Sequence, residues 1–258
     1  AALNLLEQQT YIQRNGVVYE YLTDEEKDVE QEIKNTEVEN DVVAEELGQI
    51  VFDGVLKHRK IRYDENGQDY AFARKLDDKV LGREYELAIH VISPFHEHSG
   101  NEMILRSQSM GRDELLVALP SSDRLVRDLL LYKRTDKYVR QNVSITQQES
   151  IRRILSDKSS QNRERQSALR KLVEELVGKA TLIVNGQELV VGSGDGQTRI
   201  VQGFHQLLVR TYANLRLLRG MNYREGDVVT YLQQASTLYG NDEATVSEAE
   251  NEMQGFIQ

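Results

Sequence analysis

The sequence contains no cysteine, no tryptophan and only two prolines among its 258 residues. Without cysteine, the chain has neither a disulfide framework nor thiolate ligands for a metal ion. No apolar run approaches the roughly 18 residues of a membrane-spanning helix, so we expect no membrane segment and no membrane partner. The first nine residues also lack the basic region and cleavage site of a secretory signal. These absences together favour a cytoplasmic protein.

Charge is distributed unevenly along the chain, although the formal net charge is −10. Residues 1–50 hold 3 basic and 13 acidic side chains, whereas residues 101–200 hold 17 basic and 13 acidic ones. Because long-range fields act on association more than on fold, the acidic and basic regions are expected to meet different partners.

The first predicted module covers residues 1–22. Asn15-Gly16 lies between two β-rich arms and supplies the positive φ angles of a two-residue hairpin turn. A helix end followed by a hairpin is the order of a recognition helix and wing, which predicts a partial winged helix cut at its start. The alternative is an ordinary hairpin of an α+β protein.

The second predicted module, residues 23–120, combines a linking helix with a small mixed β-sheet. Thr23 and Glu26 have the spacing of a capping box, and an apolar stripe continues from there to Val51. Glycine and proline residues mark the ends of short β-rich runs after this helix, which predicts strands there. These are a hairpin over 61–73 and strands at 86–93, 102–107 and 115–119.

The third predicted module, residues 121–258, is helical with one β-hairpin. Apolar periodicity predicts two helices within 122–178, the second long and charged. Asn185-Gly186 predicts a hairpin over 181–191. A helix to about Arg219 and short helices near 225–239 and 245–257 follow. The fold class is therefore α+β and helix-rich, with a partial winged helix, a small mixed sheet with hairpins, and long helices.

A glycine-rich loop at 192–198 separates the predicted hairpin from the next helix. Backbone amides in such a loop can bind an anion, which makes Gly194, Gly196 and Thr198 candidates. The loop lacks the lysine of a phosphate-binding P-loop. The alternative interpretation is a strand-to-helix turn in which Asp195 caps the helix.

His96-Glu97-His98, with His90 nearby, forms the one histidine cluster of the sequence. A metal site needs a third or fourth oriented ligand, and the spacing places none. Asp77-Asp78-Lys79 invites comparison with the carboxylates of a metal-dependent nuclease. We nevertheless predict no catalytic residue, no metal site and no cofactor in this chain.

Arginines offer a candidate contact with nucleic acid, because guanidinium groups bind phosphate oxygens bidentately. The alternative is an ordinary solvated helix. The candidate residues are Arg14, Arg152, Arg153, Arg163, Arg165 and Arg170.

Four segments of the sequence, 6–34, 55–63, 70–82 and 178–218, resemble the BrxC family of large P-loop ATPases from bacterial BREX phage-defence systems. They include LEQQTYIQRNGVVYEY, LKHRKIRY, YAFARKLDDKVLG and GKATLIVNGQELVVGSGDGQTRIVQGFHQLL. No Walker motif is present to carry over. The resemblance implies that this chain is a fragment of a longer parent whose ATP and Mg²⁺ site lies upstream.

The resemblance also implies a setting for the fragment. The family works with a methyltransferase and an alkaline-phosphatase-like subunit, so we expect these subunits as partners. Duplex DNA and a second copy of the chain are further candidate partners. The function expected first is a non-catalytic accessory or assembly region of the ATPase. A DNA-binding module that uses the wing and the basic helix is the alternative, and a metal-dependent nuclease is the third hypothesis.

Overall fold

The computed structural model describes residues 2–9, 11–15, 18–192 and 194–215, and it confirms a helix-rich α+β fold. In chain order the elements are α1 (Ala2–Gln8), β1 (Ile12–Asn15), β2 (Val18–Tyr21), α2 (Asp24–Asn35), α3 (Asn40–Gln49), a π-helix (Ile50–Leu56), β3 (Lys60–Tyr63), β4 (Gln68–Ala71), β5 (Ala73–Leu76), β6 (Lys79–Val80), β7 (Ala88–Ile92), α4 (Glu102–Gln108), β8 (Glu114–Ala118), α5 (Asp123–Asn142), α6 (Glu149–Gly178), β9 (Thr181–Val184), β10 (Gln187–Glu188) and α7 (Gly196–Thr211).

The chain divides into two compact units. Residues 1–61 and 69–213 form the first unit, which contains the six-stranded sheet. The second comprises residues 62–68 and the C-terminal residues from 214 onward, most of which lie outside the described part. The helices predicted near 225–239 and 245–257 also lie outside the described residues.

Six strands form one mixed sheet in the order β10-β9-β8-β7-β5-β6. Strands β5, β7 and β8 run parallel, and β6 and β9 pair antiparallel with their neighbours. The sheet therefore includes the 181–191 hairpin, which the sequence had grouped with the helices of 121–258. A division after residue 120 would separate strands of one sheet.

Helices cover both faces of this sheet. On one face, Leu105 of α4 packs with Ile92 and Leu116. On the other, α7 approaches so closely that a Cβ added at Gly203 would lie 3.1 Å from Leu115. Phe72 and Phe204 meet edge to face on the α7 side, with ring centroids 5.5 Å apart.

Several sequence predictions are confirmed locally. The 12–21 and 181–188 hairpins form, as does the two-stranded β3-β4 pair. The Thr23–Glu26 capping box is complete at the start of α2. Helices α5 and α6 match the two helices expected within 122–178. Whether residues 1–22 are a winged-helix remnant stays a prediction.

Other boundaries differ from the sequence predictions. The segment 102–107 is helix α4 rather than a strand, because the Asn101 side chain accepts the Ile104 amide and starts a helix. The apolar stripe from Val29 to Val51 is divided, since α2 ends at Asn35 and an extended backbone precedes α3. Helix α7 ends at Thr211, short of Arg219.

Candidate functional site: a cluster of histidines and carboxylates

Titratable side chains form a cluster along the parallel strands, from the start of β8 to the turn that follows β5. Asp77 and Asp78 form the tight turn after β5, with φ of 46° and 67°, and His96 lies in the loop after β7. His90 is in β7 itself, and Glu114 begins β8. The sheet therefore brings together carboxylates and histidines that are up to 37 positions apart.

Both nitrogens of the His90 ring are engaged. The backbone N–H of Asp78 donates to Nε2 over 3.1 Å, so the ring proton resides on Nδ1. That nitrogen lies 3.3 Å from Oε1 of Glu114 and donates to it. With 2% of the residue exposed, His90 is a buried imidazole whose two nitrogens both face hydrogen-bond partners within the protein.

Both ring nitrogens of His96 also have hydrogen-bond partners. The backbone N–H of His98 donates to its Nδ1 over 3.1 Å, which leaves the Nε2 proton to be donated to Oδ2 of Asp78 at 2.9 Å. Burial is the largest single influence on Asp78 and would raise its pKa, but the hydrogen bond from His96 and the electrostatic attraction of His90, His96 and Arg112 together lower the pKa of that carboxyl. Neither imidazole has a free lone pair in this arrangement.

Glu114 is the most deeply buried carboxylate of the cluster, with 1% exposed. Burial would raise its pKa, but the hydrogen bonds and the electrostatic attraction of His90 and Lys75 together outweigh burial and hold the pKa at about 2. The Lys75 ammonium lies 3.1 Å from Oε2. The ion pair therefore persists at neutral pH, which is the arrangement that a buried charge requires.

Asp77 fastens the turn to the end of β7. Its carboxylate accepts the Ser93 backbone N–H at 2.7 Å and the Ser93 hydroxyl at 2.6 Å. The Ser93 hydroxyl therefore helps to hold the 77–78 turn against the end of β7. Among the described residues, no three histidine or carboxylate side chains are arranged to hold a metal ion.

The glycine-rich loop places its three candidate residues at the start of α7. The Asp195 side chain accepts the Thr198 backbone N–H at 2.7 Å, as the capping alternative predicted. A Cβ added at Gly196 would lie 2.7 Å from Val177. An anion at Gly194, Gly196 and Thr198 would thus compete with a carboxylate already in position, and its binding stays a prediction.

The candidate arginines of α6 fall on different sides of the helix. Arg152, Arg163 and Arg170 are exposed, and spacings of 11 and 7 residues bring them within about 20° of one another around the axis. Arg153 is exposed on an adjoining side. Arg165 is half-buried and donates to Asn162, and burial lowers its pKa. The side chain of Arg14 lies outside the described parts.

Sequence reasoning identified the histidines and the Asp77-Asp78 pair but missed Lys75 and Glu114. A signal for both exists. Each is a charged residue inside a short strand whose neighbours are apolar, and β-strand alternation turns both toward the sheet face that holds His90. A charge at such a position needs a buried partner, which is what each supplies to the other.

Comparison with known proteins assigns the family. A family model described as the fourth domain of the BREX ATP-binding protein BrxC, with a six-stranded β-sheet, matches residues 36–207. The six strands β5 to β10 all lie in that range. No solved structure matches the chain. No described helix is long and apolar enough to cross a membrane. The chain therefore belongs to the BrxC family of ATP-binding proteins from BREX phage-defence systems.

Proposed function

We propose that this chain is a non-catalytic docking region of a BREX ATPase, which holds the ATPase to other BREX subunits. The observation that supports this proposal is that the side chains of the histidine and carboxylate cluster form their hydrogen bonds with one another and with the backbone of the protein. His90 and His96 each use both ring nitrogens within the protein, so neither is available as a general base or a metal ligand. The cluster connects strands β5, β7 and β8 and thereby stabilises the sheet.

Exposed apolar side chains next to the sheet offer a surface for a partner subunit. Met103, in α4, is 78% exposed, and Met110, two residues after the end of that helix, is 62% exposed. Methionine adapts its shape to a partner, which suits an interaction surface. Arg106 lies between them and pairs with Glu102 and Glu188.

Two measurements on the purified chain test the docking proposal. We expect no ATP hydrolysis above a buffer control, and retention of at least one other BREX subunit when each is passed over the immobilised chain. Substitution of Met103 and Met110 by serine should weaken that retention, whereas substitution of the exposed Val143 and Ile145 by serine should not. ATP turnover that copurifies with the chain through successive columns would contradict the proposal.

A second candidate function, contact with the DNA backbone, is favoured by the arginine face of α6, which consists of Arg152, Arg163 and Arg170. Among the described residues none of the three forms an ion pair, although Arg152 donates to the Thr146 carbonyl. Along the axis they are separated by about 16 Å and about 10 Å. Arg165 is left out of this surface because it is half-buried.

Charge reversal tests the arginine face. If Arg163 and Arg170 each contact a phosphate, R163E/R170E should weaken duplex binding and reduce the slope of log K against log salt by about two. The control R59E/R83E makes the same change of net charge at exposed arginines outside α6. Equal effects of the two double variants would show a response to net charge alone and would exclude the arginine face.

A further inference from the structure

Helix α2 lies in a groove formed by α5 and α6. Val29 and Ile33, which are 3% and 1% exposed, pack with Ile154 and Leu155 of α6. The partly buried side chains that complete this contact are Leu131, Tyr138, Val139 and Ile151. The opposite side of α2 is polar and exposed. This is the geometry of an amphipathic helix seated in a groove through anchors at positions i and i+4.

The groove is also charged to match the helix. The ammonium of Lys158 is buried and forms an ion pair with Glu30. Arg165 is half-buried on the same helix; burial lowers its pKa, and the Glu30 carboxylate offsets part of that lowering. Nearer the start of the helix, the Ser150 hydroxyl donates to Glu25 over 3.2 Å. The buried Lys158 of α6 thus faces a carboxylate of α2, and a buried charge of this kind is stabilised by such a pair.

Two boundaries separate α2 from the domain against which it packs. The match to the BrxC fourth domain starts at residue 36, immediately after α2 ends. Thr36 and Glu39 have extended backbones, so the connection to α3 is not helical. On the other side only Leu22 lies between β2 and Thr23, the N-cap of α2.

We propose that the α5–α6 groove is a docking site for an acidic amphipathic helix, and that α2 occupies it reversibly as the connection between the preceding β1–β2 hairpin and the fourth domain. When α2 is docked, the hairpin is held against the domain. When α2 is released, the hairpin moves independently of the fourth domain, because the extended backbone at Thr36 and Glu39 interrupts the helix between α2 and α3, and the contact of Lys137 with the Glu37 carbonyl lies beyond the end of α2. The Glu30–Lys158 pair sets the position of the helix in the groove.

The absence of native cysteine allows the docked state to be captured directly. In the full chain, the pair E25C/S150C is expected to react rapidly with a short bismaleimide, because these side chains touch. The matched control Q31C/S150C keeps the cysteine on α6 and moves the other to the exposed side of α2. We expect at least about tenfold slower crosslinking for the control. Equal rates for the two pairs would overturn docking.

Hydrogen exchange tests release and the role of the ion pair. In the unmodified chain, the amides of α2 should exchange at least about tenfold faster than those of β7 and β8 by local opening. K158A should accelerate exchange in α2 while leaving β7 unchanged, and the charge-swapped variant E30K/K158E should restore protection. If α2 exchanges at the rate of β7 in the unmodified chain, α2 is a permanent part of the core and the proposal fails.

Discussion

At the scale of single residues, Glu114 illustrates how a buried charge is kept in this sheet. Its carboxylate accepts hydrogen bonds from His90 and Lys75, and Arg112 lies 3.4 Å away. Loss of a partner would leave the buried Glu114 carboxylate or the buried His90 ring unsatisfied, and an unsatisfied buried group costs more than the intact interaction contributes. The cluster is therefore best tested through its response to pH rather than through deletion alone.

The acid sensitivity of folding should depend on Glu114. Its pKa falls from 4.5 to about 2 on folding, so the stabilisation is complete above pH 4.5 and is lost as pH falls toward 2. A shift of this size corresponds to about 3 kcal/mol. In urea unfolding, the free-energy difference between the unmodified chain and E114Q should shrink from about that value at pH 6 to near zero at pH 2.

The control for this experiment is E164Q, which changes an exposed carboxylate of α6. Its difference from the unmodified chain should stay small at every pH. A difference for E114Q that does not change with pH would contradict the low pKa of the Glu114 carboxyl.

Substitution of Gly196 tests whether the glycine at the start of α7 is needed for close packing against the end of α6. A Cβ there would lie 2.7 Å from Val177 and 3.0 Å from the Gly178 nitrogen, so G196A should lower the free energy of unfolding by about 1–3 kcal/mol. Gly54 is the matched control, because its nearest neighbour would be 4.0 Å away. G54A should be neutral or stabilise by up to about 1 kcal/mol. Equal effects in urea unfolding would refute the packing role.

At the scale of elements, capping determines where α5 begins. The Ser122 hydroxyl accepts the Leu125 backbone N–H at 3.2 Å, so S122A should reduce the free energy of unfolding by about 1 kcal/mol. The adjacent Ser121 is exposed and does not cap the helix, and S121A should change stability by less than about 0.5 kcal/mol. Thermal unfolding of the two variants measures the difference. A larger loss of stability in S121A than in S122A would contradict the capping role of Ser122.

Elements with local determinants could be predicted from sequence. Asn185 and Gly186 adopt φ of 46° and 77°, as the turn chemistry required. The Thr23 capping box and the Asp195 cap are equally local. The strand predicted over 102–107 was wrong, because a short apolar run has too few residues to distinguish the period of a helix from that of a strand. The contact of Leu105 with strands β7, β8 and β9 stabilises the helix that forms there.

The arrangement of the sheet could not be predicted, because its pairs are remote in sequence. Strand β9 pairs with β8 across the whole of α5 and α6, and nothing in the alternation of 181–184 specifies that neighbour. The candidate site has the same origin. Lys75, His90 and Glu114 meet only because β5, β7 and β8 align in parallel with this register.

At the scale of the whole molecule, charge and surface distinguish the regions. The acidic N-terminal residues include α2, which faces cations of α6, while the exposed arginines of α6 lie on another side of that helix. The matched fourth domain supplies the six-stranded scaffold. We therefore propose that the six-stranded domain serves as a platform with surfaces for other molecules, and we expect the ATP chemistry of the family in another domain.

Binding of the purified chain to each of the other BREX subunits, measured side by side at low and moderate salt, tests the docking proposal most directly. We predict that at least one subunit is retained at moderate salt and that M103S/M110S reduces the retention. Retention of none at either salt concentration, together with ATP turnover by the chain itself, would contradict a non-catalytic docking region.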